Sequence, residues 1–257
     1  MALSIWEALA VLAAGVGAGT INTIVGSGTL ITFPVLLATG LPPITANVSN
    51  TLGLVPGAIS GAIGYRRELR GQRRRVLRLG TTALIGGLSG AILLLALPSQ
   101  AFDAIVPALI ALALVLVVLQ PRLARALARR RERNGTTAPT DGGPALIAGL
   151  LLASAYGGYF GAAQGVLYLS LMGVLLHEEL QRVNALKNVL AVIVNGVAAL
   201  FFVFVADVDW TAVLLIAVGS TIGGQIGAKV GRRLSPTVLR GVIVAVGIVA
   251  IVQMLLR

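Results

Sequence analysis

"GSGTLITFP" occupies residues 26–34, with "ALAVLAAGVGAGTINTIV" before it and "VLLATGL" after it. An apolar stretch of that length enters a bilayer, since about 20 helical residues cross ~30 Å of hydrocarbon. Two glycines, a serine, a threonine and a proline in its middle break the helix there. Such breaks persist at membrane depth only where protein or a watery cavity covers them. The segment therefore reads as a helical hairpin with a polar tip. The arm after the tip, residues 29–40, holds twelve residues. It reaches only ~18 Å, about half way across a membrane.

The rest of the chain has the same character. Of 257 residues, 57% are hydrophobic and 11% charged, against about a quarter charged in soluble domains. Apolar blocks fall near 5–40, 45–64, 76–97 and 101–119. The arginine-rich stretch "PRLARALARRRERNGTTAPTDGGP" (121–144) follows, and its Asn, Gly, Thr and Pro content marks a loop or linker. Four more blocks fall near 145–176, 183–206, 211–231 and 236–256. The fold class is an all-α, polytopic protein of the cell (inner) membrane. The opening "MALSIWEALA" lacks a basic n-region and reads as the start of the first membrane segment. There is no cysteine, which excludes disulfides and thiolate metal sites. The net charge of +11 sits in arginine loops beside membrane segments. That placement points to positive-inside orientation and away from nucleic acid. No phosphate-binding G-x-x-x-x-G-K-[ST] loop occurs, and no cofactor is expected.

The two halves repeat at a constant offset of 137. Gly28 falls on Gly165, Asn47 on Asn184, and Gly86, Gly87 and Gly90 on Gly223, Gly224 and Gly227. Internal duplication is a signature of secondary transporters. The loop "RRELRGQRRRVLR" (66–78) carries seven arginines, whereas its partner "VADVDW" carries Asp207 and Asp209. The turn holding Asp103 corresponds to one holding Arg240, just after Arg232 and Arg233. Equivalent loops therefore lie on opposite sides. The expectation is two inverted-topology repeats, each a broken helical hairpin plus three transmembrane helices. Residues 1–120 form the first repeat, 121–144 a cytoplasmic linker and 145–257 the second repeat.

Chemistry is expected where the hairpins break. A half-helix starting at the midplane has unpaired N–H groups that, with the helix dipole, favour an anion. Gly26 and Gly28 permit close approach, and Ser27 and Thr29 add hydroxyls; Gln164 and Gly165 form the second tip. The plainer reading of these glycines is helix packing, and it is the reading given to Gly86, Gly87, Gly90 and their partners. On "RVNALKNVLAVIVNG", Asn184, Lys187 and Asn188 share a face to which Asn195 returns; Asn47, Asn50 and Thr51 hold the matching first-half positions. Polar residues inside a membrane usually face a cavity or the bundle interior. For Lys187 two readings stand: a ligand for an anion, with the substrate as its counter-charge, or a snorkelling headgroup anchor. The single histidine, His177, sits beside Glu178 and Glu179, as a proton-coupling group or a solvated loop cluster. Asp207, Asp209 and Trp210 mark the outer interface.

These residues resemble the sulfite exporter TauE/SafE family over nearly the whole chain. The resemblance rests on the glycine hairpin leading into "FPVLLATGLPPITANVSNT" and on "YRREL". In the second half it rests on "ALKNVLAVIVNGVAALFFVF", "DVDW" and "GGQIGAKVGRRL". The first tip departs from the family by its short glycine run, the second by having few glycines. The resemblance implies movement of small anions, often sulfur oxyanions or organosulfonates, across the cytoplasmic membrane, with a coupled proton or sodium as a possible partner.

The expected function is a secondary transporter of a small anion by alternating access. Its rivals are a passive anion channel and an intramembrane enzyme. The second would need Ser27 and His177 within hydrogen-bond reach. The charge map makes a topology prediction. The 66–78 loop, the 122–143 linker and the 232–236 turn face the cytoplasm, and the 206–210 loop and both termini face out. Single cysteines are readily placed in this cysteine-free chain. An Asp209→Cys variant that labels only from the cytoplasm would refute the inverted arrangement.

Overall fold

The computed structural model describes residues 3–134, 142–176, 178–230 and the single residues 241, 244, 245, 248 and 252. Every regular element among them is helical: α1 (Ile5–Ile24), α2 (Thr29–Ala38), α3 (Pro43–Gly64), α4 (Arg73–Ala96), α5 (Ser99–Asn134), α6 (Gly143–Tyr159), α7 (Gln164–Leu175), α8 (Leu180–Val205) and α9 (Trp210–Val230). Five are long and apolar enough to span a membrane: α1, α4, the Ser99–Leu119 part of α5, α8 and α9. Helices α2 and α7, with 10 and 12 residues, are too short to do so.

The first apolar block breaks where glycine permits it. Gly26 takes φ +84°, and its N–H donates to the Ile21 carbonyl at 3.1 Å, closing the end of α1. The second break has less glycine but the same shape. Gly161 takes φ +76° and Ala163 φ 57°. A left-handed alanine costs ~1–2 kcal/mol, so packing must hold it in place. Ala163 is fully buried.

The fourth block is longer than expected. The loop reading of 121–144 fails for its first part, because α5 runs on to Asn134. The reason is local: "RLARALARRRER" (122–133) consists of strong helix formers. The Gly, Thr and Pro content begins only after it. Residues 135–141, His177, Arg232, Arg233, Arg240 and most of the eighth block lie outside the described residues.

Packing follows the 137-residue offset. Helix α9 lies along α1 and α3, and α4 lies along α6 and α8. Helices α3 and α8 begin at Pro43 and Leu180, and α4 and α9 at Arg73 and Trp210, so these contacts are equivalent. Glycine sets how closely they approach. A Cβ on Gly90 would sit 1.9 Å from the Ala155 carbonyl oxygen, and one on Gly223 2.1 Å from that of Val16. Main chain thus meets main chain, the small-residue packing that membrane helices use in place of a hydrophobic driving force. The glycine-lined helix of each half grips the first helix of the other half. Behind the breaks, Phe33 on α2 packs edge-on against Phe160 (5.3 Å between ring centres), and Phe102 on α5 lies 5.8 Å from Tyr159. Such aromatic pairs add ~0.5–1.5 kcal/mol beyond burial and fix α2 against the end of α6, and α6 against α5.

The glycine contacts carry a stability prediction. Gly90→Ala and Gly223→Ala should each destabilise by about 1–3 kcal/mol or more, because main chain cannot step aside as a side chain can. Gly196, in α8, has nothing within 4 Å of its would-be Cβ. Gly196→Ala should be neutral, or stabilising by up to ~1 kcal/mol from helix propensity. Thermal unfolding in detergent separates the three, and equal melting temperatures would refute this account.

Candidate functional site

The two hairpin tips touch through their backbones. The Gly165 N–H donates to the Gly26 carbonyl at 3.0 Å. A Cβ on Gly26 would lie 2.3 Å from Gly165 Cα, and one on Gly165 2.4 Å from Gly26 Cα. Gly26 and Gly165 therefore serve the tip-to-tip contact. Gly28 packs on α1, since a Cβ there would meet the Ala18 carbonyl oxygen at 2.6 Å.

The N-terminus of α2 keeps its donors. Among the described residues, the N–H groups of Ser27, Gly28 and Thr29 have no protein acceptor. The Ser27 hydroxyl is fully buried and also has none. Its neighbours are committed elsewhere. Thr32 donates to the Asn50 carboxamide oxygen, and Asn50 Nδ2 donates to Thr29 Oγ1 at 3.3 Å. The second tip is more fully paired. Gln164 Nε2 donates to the Tyr168 hydroxyl at 2.7 Å, and that hydroxyl is 2.7 Å from Ser154 Oγ. The N–H groups of Gln164 and Val166 bond to the carbonyls of Gly161 and Ala163.

The polar stripes of α3 and α8 answer a different need. A helix that ends leaves its last carbonyls unpaired and its dipole negative there. Lys187 Nζ donates to the carbonyls of Asn22 and Thr23, at 3.0 and 3.1 Å. Asn188 Nδ2 reaches the Thr23 carbonyl at 3.4 Å. In the other half, Asn47 Nδ2 donates to the Tyr159 carbonyl at 3.0 Å. Asn22 and Tyr159 are equivalent positions at the ends of α1 and α6, and Asn47 is the equivalent of Asn184. Each stripe thus caps the broken helix of the opposite half. Thr51 instead donates to the Asn47 carbonyl of its own helix at 2.9 Å. Asn195 is only half-buried.

Lys187 is 0% exposed, which overturns the snorkelling alternative. Lys187 also has neutral partners that the sequence does not foretell. The α1 carbonyls supply two partners and the negative end of a helix dipole. Sequence reasoning missed Asn22, Thr23, Thr32, Ser154, Tyr159 and Tyr168. The usable signal was the offset itself, which makes Asn22 and Tyr159 partners at matching breaks.

Several buried polar atoms remain without a partner among the described residues: Ser27 Oγ, Asn47 Oδ1, Asn184 Oδ1 and the Tyr159 hydroxyl. Buried polar atoms are ordinarily paired. The Ser27 and Tyr159 hydroxyls can donate, whereas the two asparagine oxygens only accept. The donors without an acceptor at the tip itself are the Ser27 hydroxyl and the three N–H groups.

A family model described as "Sulfite exporter TauE/SafE" matches residues 11–254. The chain belongs to that family. A relative in Escherichia coli (strain K12), "Probable membrane transporter protein YfcA", is 29% identical over 239 residues, covering 93% of this chain and 86% of its own. A "Probable membrane transporter protein" of Haemophilus influenzae is 26% identical over 233 residues, covering 90% and 87%. No solved structure matches the chain significantly. The chain is thus a multi-pass membrane protein of a transporter family, with its two tips and both polar stripes inside the matched region.

An ion network joins the two halves near the arginine loop. Glu178 bonds to Arg75 and, at 2.8 Å, to Arg182; Arg182 also donates to the Arg70 carbonyl at 3.2 Å. Burial pushes the Glu178 carboxyl up, but Arg75, the Glu179 N–H and Arg182 together outweigh it and hold it below its ordinary value. A carboxyl lowered on folding contributes stability above its unfolded value and loses it as pH falls through the folded value. Thermal stability should therefore drop as pH is taken from 7 to below about 4. Glu178→Gln should start lower at neutral pH and show a smaller drop. Parallel curves for the two proteins would show that the network contributes nothing to acid lability.

Proposed function

We propose that this chain is a secondary transporter of a small anion: sulfite, a sulfonate, or a related organosulfur or carboxylate anion. It works by alternating access between two inverted repeats, residues 1–120 and 145–257, joined by the arginine-rich segment 121–144. The observation that carries the reading is the buried N-terminus of α2, with Ser27, Gly28 and Thr29 N–H groups free at the point where the two tips meet. Such an end binds an anion by partial positive charge and directed donors. Ser27 Oγ and the third N–H of Lys187 add donors. Asn47 and Asn184 bound the site from the two stripes. Gly26, Gly28 and Gly165 bring the backbones together, and Thr29, Asn50, Thr51, Gln164 and Asn188 hold the tips and helix ends in position. Discontinuous helices meeting near the midplane at a repeat interface are the usual substrate site of such transporters.

The test is flux of labelled sulfite, thiosulfate, sulfoacetate and simple carboxylates into proteoliposomes. At least one should accumulate against its gradient. Flux that only runs downhill would make the protein a channel. Ser27→Ala should weaken half-saturation by about tenfold to a hundredfold, the worth of a hydrogen bond to a charged group (~1.5–3 kcal/mol). Lys187→Met should fold but abolish flux, while Lys187→Arg retains part of it. Wild-type rates in Lys187→Met would remove the lysine from the site.

A further inference from the structure

Among the described residues, Lys187 is a buried cation held without a carboxylate. Its partners are the carbonyls of Asn22 and Thr23, at 3.0 and 3.1 Å, at the C-terminal end of α1. Broken-helix C-termini are where many transporters hold a coupling cation. Here the position is filled by an ammonium tethered to the chain. A sodium ion cannot share it, but a proton can leave it. We propose that Lys187 is the coupling site of the transporter and that its amine takes up and releases one proton for each anion moved. The proposal rests on the anion-transport reading above and names its coupled ion.

The geometry supports discharge in place. An ammonium has three N–H donors and a neutral amine two. The two carbonyls need two, so losing the proton leaves neither of them unpaired. The proton balance is R–NH3+ giving R–NH2, with the proton passing to water on whichever side the site opens. The charged form alone is costly, because a buried cation without an anion loses several kcal/mol of hydration. An anion bound beside it offsets that loss, so anion binding favours protonation. By linkage, protonation favours anion binding by the same factor.

Among the described residues, the helices packed around Lys187 bring no competing carboxylate to it. Helix α8 packs against α3, α4, α6 and α7, and Lys187 bonds to α1. Helix α3 carries no titratable group. On α4 the charged groups are Arg73, Arg74, Arg75 and Arg78, all in its first two turns. The titratable groups are Tyr156 and Tyr159 on α6 and Tyr168 on α7. Glu7 of α1 stands fifteen residues before Asn22, where it caps the helix start with Ser4. Arg182 at the start of α8 is paired with Glu178. At the equivalent first-half position stands Asn50, which cannot titrate and is tied to Thr29 and Thr32. One lysine and one amide at matching positions give one proton per cycle, not two.

The experiment uses the full chain in proteoliposomes, with thiosulfate and sulfoacetate as probes because neither carries a proton at neutral pH. Sulfite titrates near neutrality, so for it the readout is the difference between wild type and variant. In wild type an imposed pH gradient should drive accumulation, with one proton entering per anion, and a sodium gradient should not. Lys187→Arg keeps a cation on the carbonyls but cannot release its proton. It should retain part of the anion exchange and lose accumulation driven by the pH gradient. Its melting temperature reports whether it folds, and the wild-type proton count stands without it. Sodium-driven accumulation, anion flux without proton movement, or pH-driven accumulation in Lys187→Arg would each overturn the proposal while leaving anion transport intact. No flux of any of the three probes by wild type would instead remove the anion-transport reading, and this proposal with it.

Discussion

A helix that stops inside a packed interior leaves peptide groups with no water to receive them, and the rest of this structure is arranged around that constraint. Two helices stop at buried breaks, α1 at Ile24 and α6 at Tyr159. Their two kinds of loose end are treated differently. The C-terminal carbonyls are capped by side chains from the opposite half: Lys187 and Asn188 on α1, Asn47 on α6. At the restart of α2, the N–H groups of Ser27, Gly28 and Thr29 find no acceptor among the described residues. An unpaired buried donor costs roughly 1–3 kcal/mol. On the proposed reading, an anion bound at these three donors and the unpaired serine would stabilise the protein as well as being held by it.

The caps also explain why the halves interlock. Each stripe must reach the broken end of the other half, so helices from different halves lie close together. Glycine makes the approach possible on the outer contacts, with α9 against α1 and α4 against α6. Contacts of this kind rest on close main-chain packing and on weak Cα–H···O interactions worth ~0.5–1 kcal/mol each. Only a few hydroxyls and amides cross them, such as Thr20 to the Gly223 carbonyl at 3.1 Å and Gln225 to the Ser60 carbonyl at 3.0 Å. The ion network of Arg75, Glu178 and Arg182 ties the start of α4 to the start of α8, and the Asp209 N–H bonded to Ser49 Oγ ties the loop before α9 to α3.

The two tips are unlike in detail despite the repeat. The first has glycine on both sides of an unpaired serine. The second turns through Gly161 and a left-handed Ala163 and commits its glutamine to Tyr168. Likewise Lys187 faces a helix end where Asn50 faces two threonines. Duplication supplied the frame, and divergence left one open helix end and one buried cation.

Several features were settled by the sequence alone. Apolar runs of membrane length, a break at residues 26–28 and a constant offset between halves are local or periodic properties, and helix starts at Pro43 and Leu180 and at Arg73 and Trp210 obey the offset. That the glycines at 90 and 223 pack helices was legible for the same reason. Other features depend on which groups from distant parts of the chain come within 3 Å, and no periodicity encodes that. Asn50, Thr29 and Gln164 looked as available as Ser27, yet tertiary contacts consume them and spare Ser27. Lys187 lies near the start of α8, where composition suits a headgroup anchor equally well. Only the approach of the α1 terminus, more than a hundred and sixty residues earlier in the chain, turns it inward. Propensity fixed where the helices run, and the unpaired peptide groups at their broken ends fixed which side chains meet there.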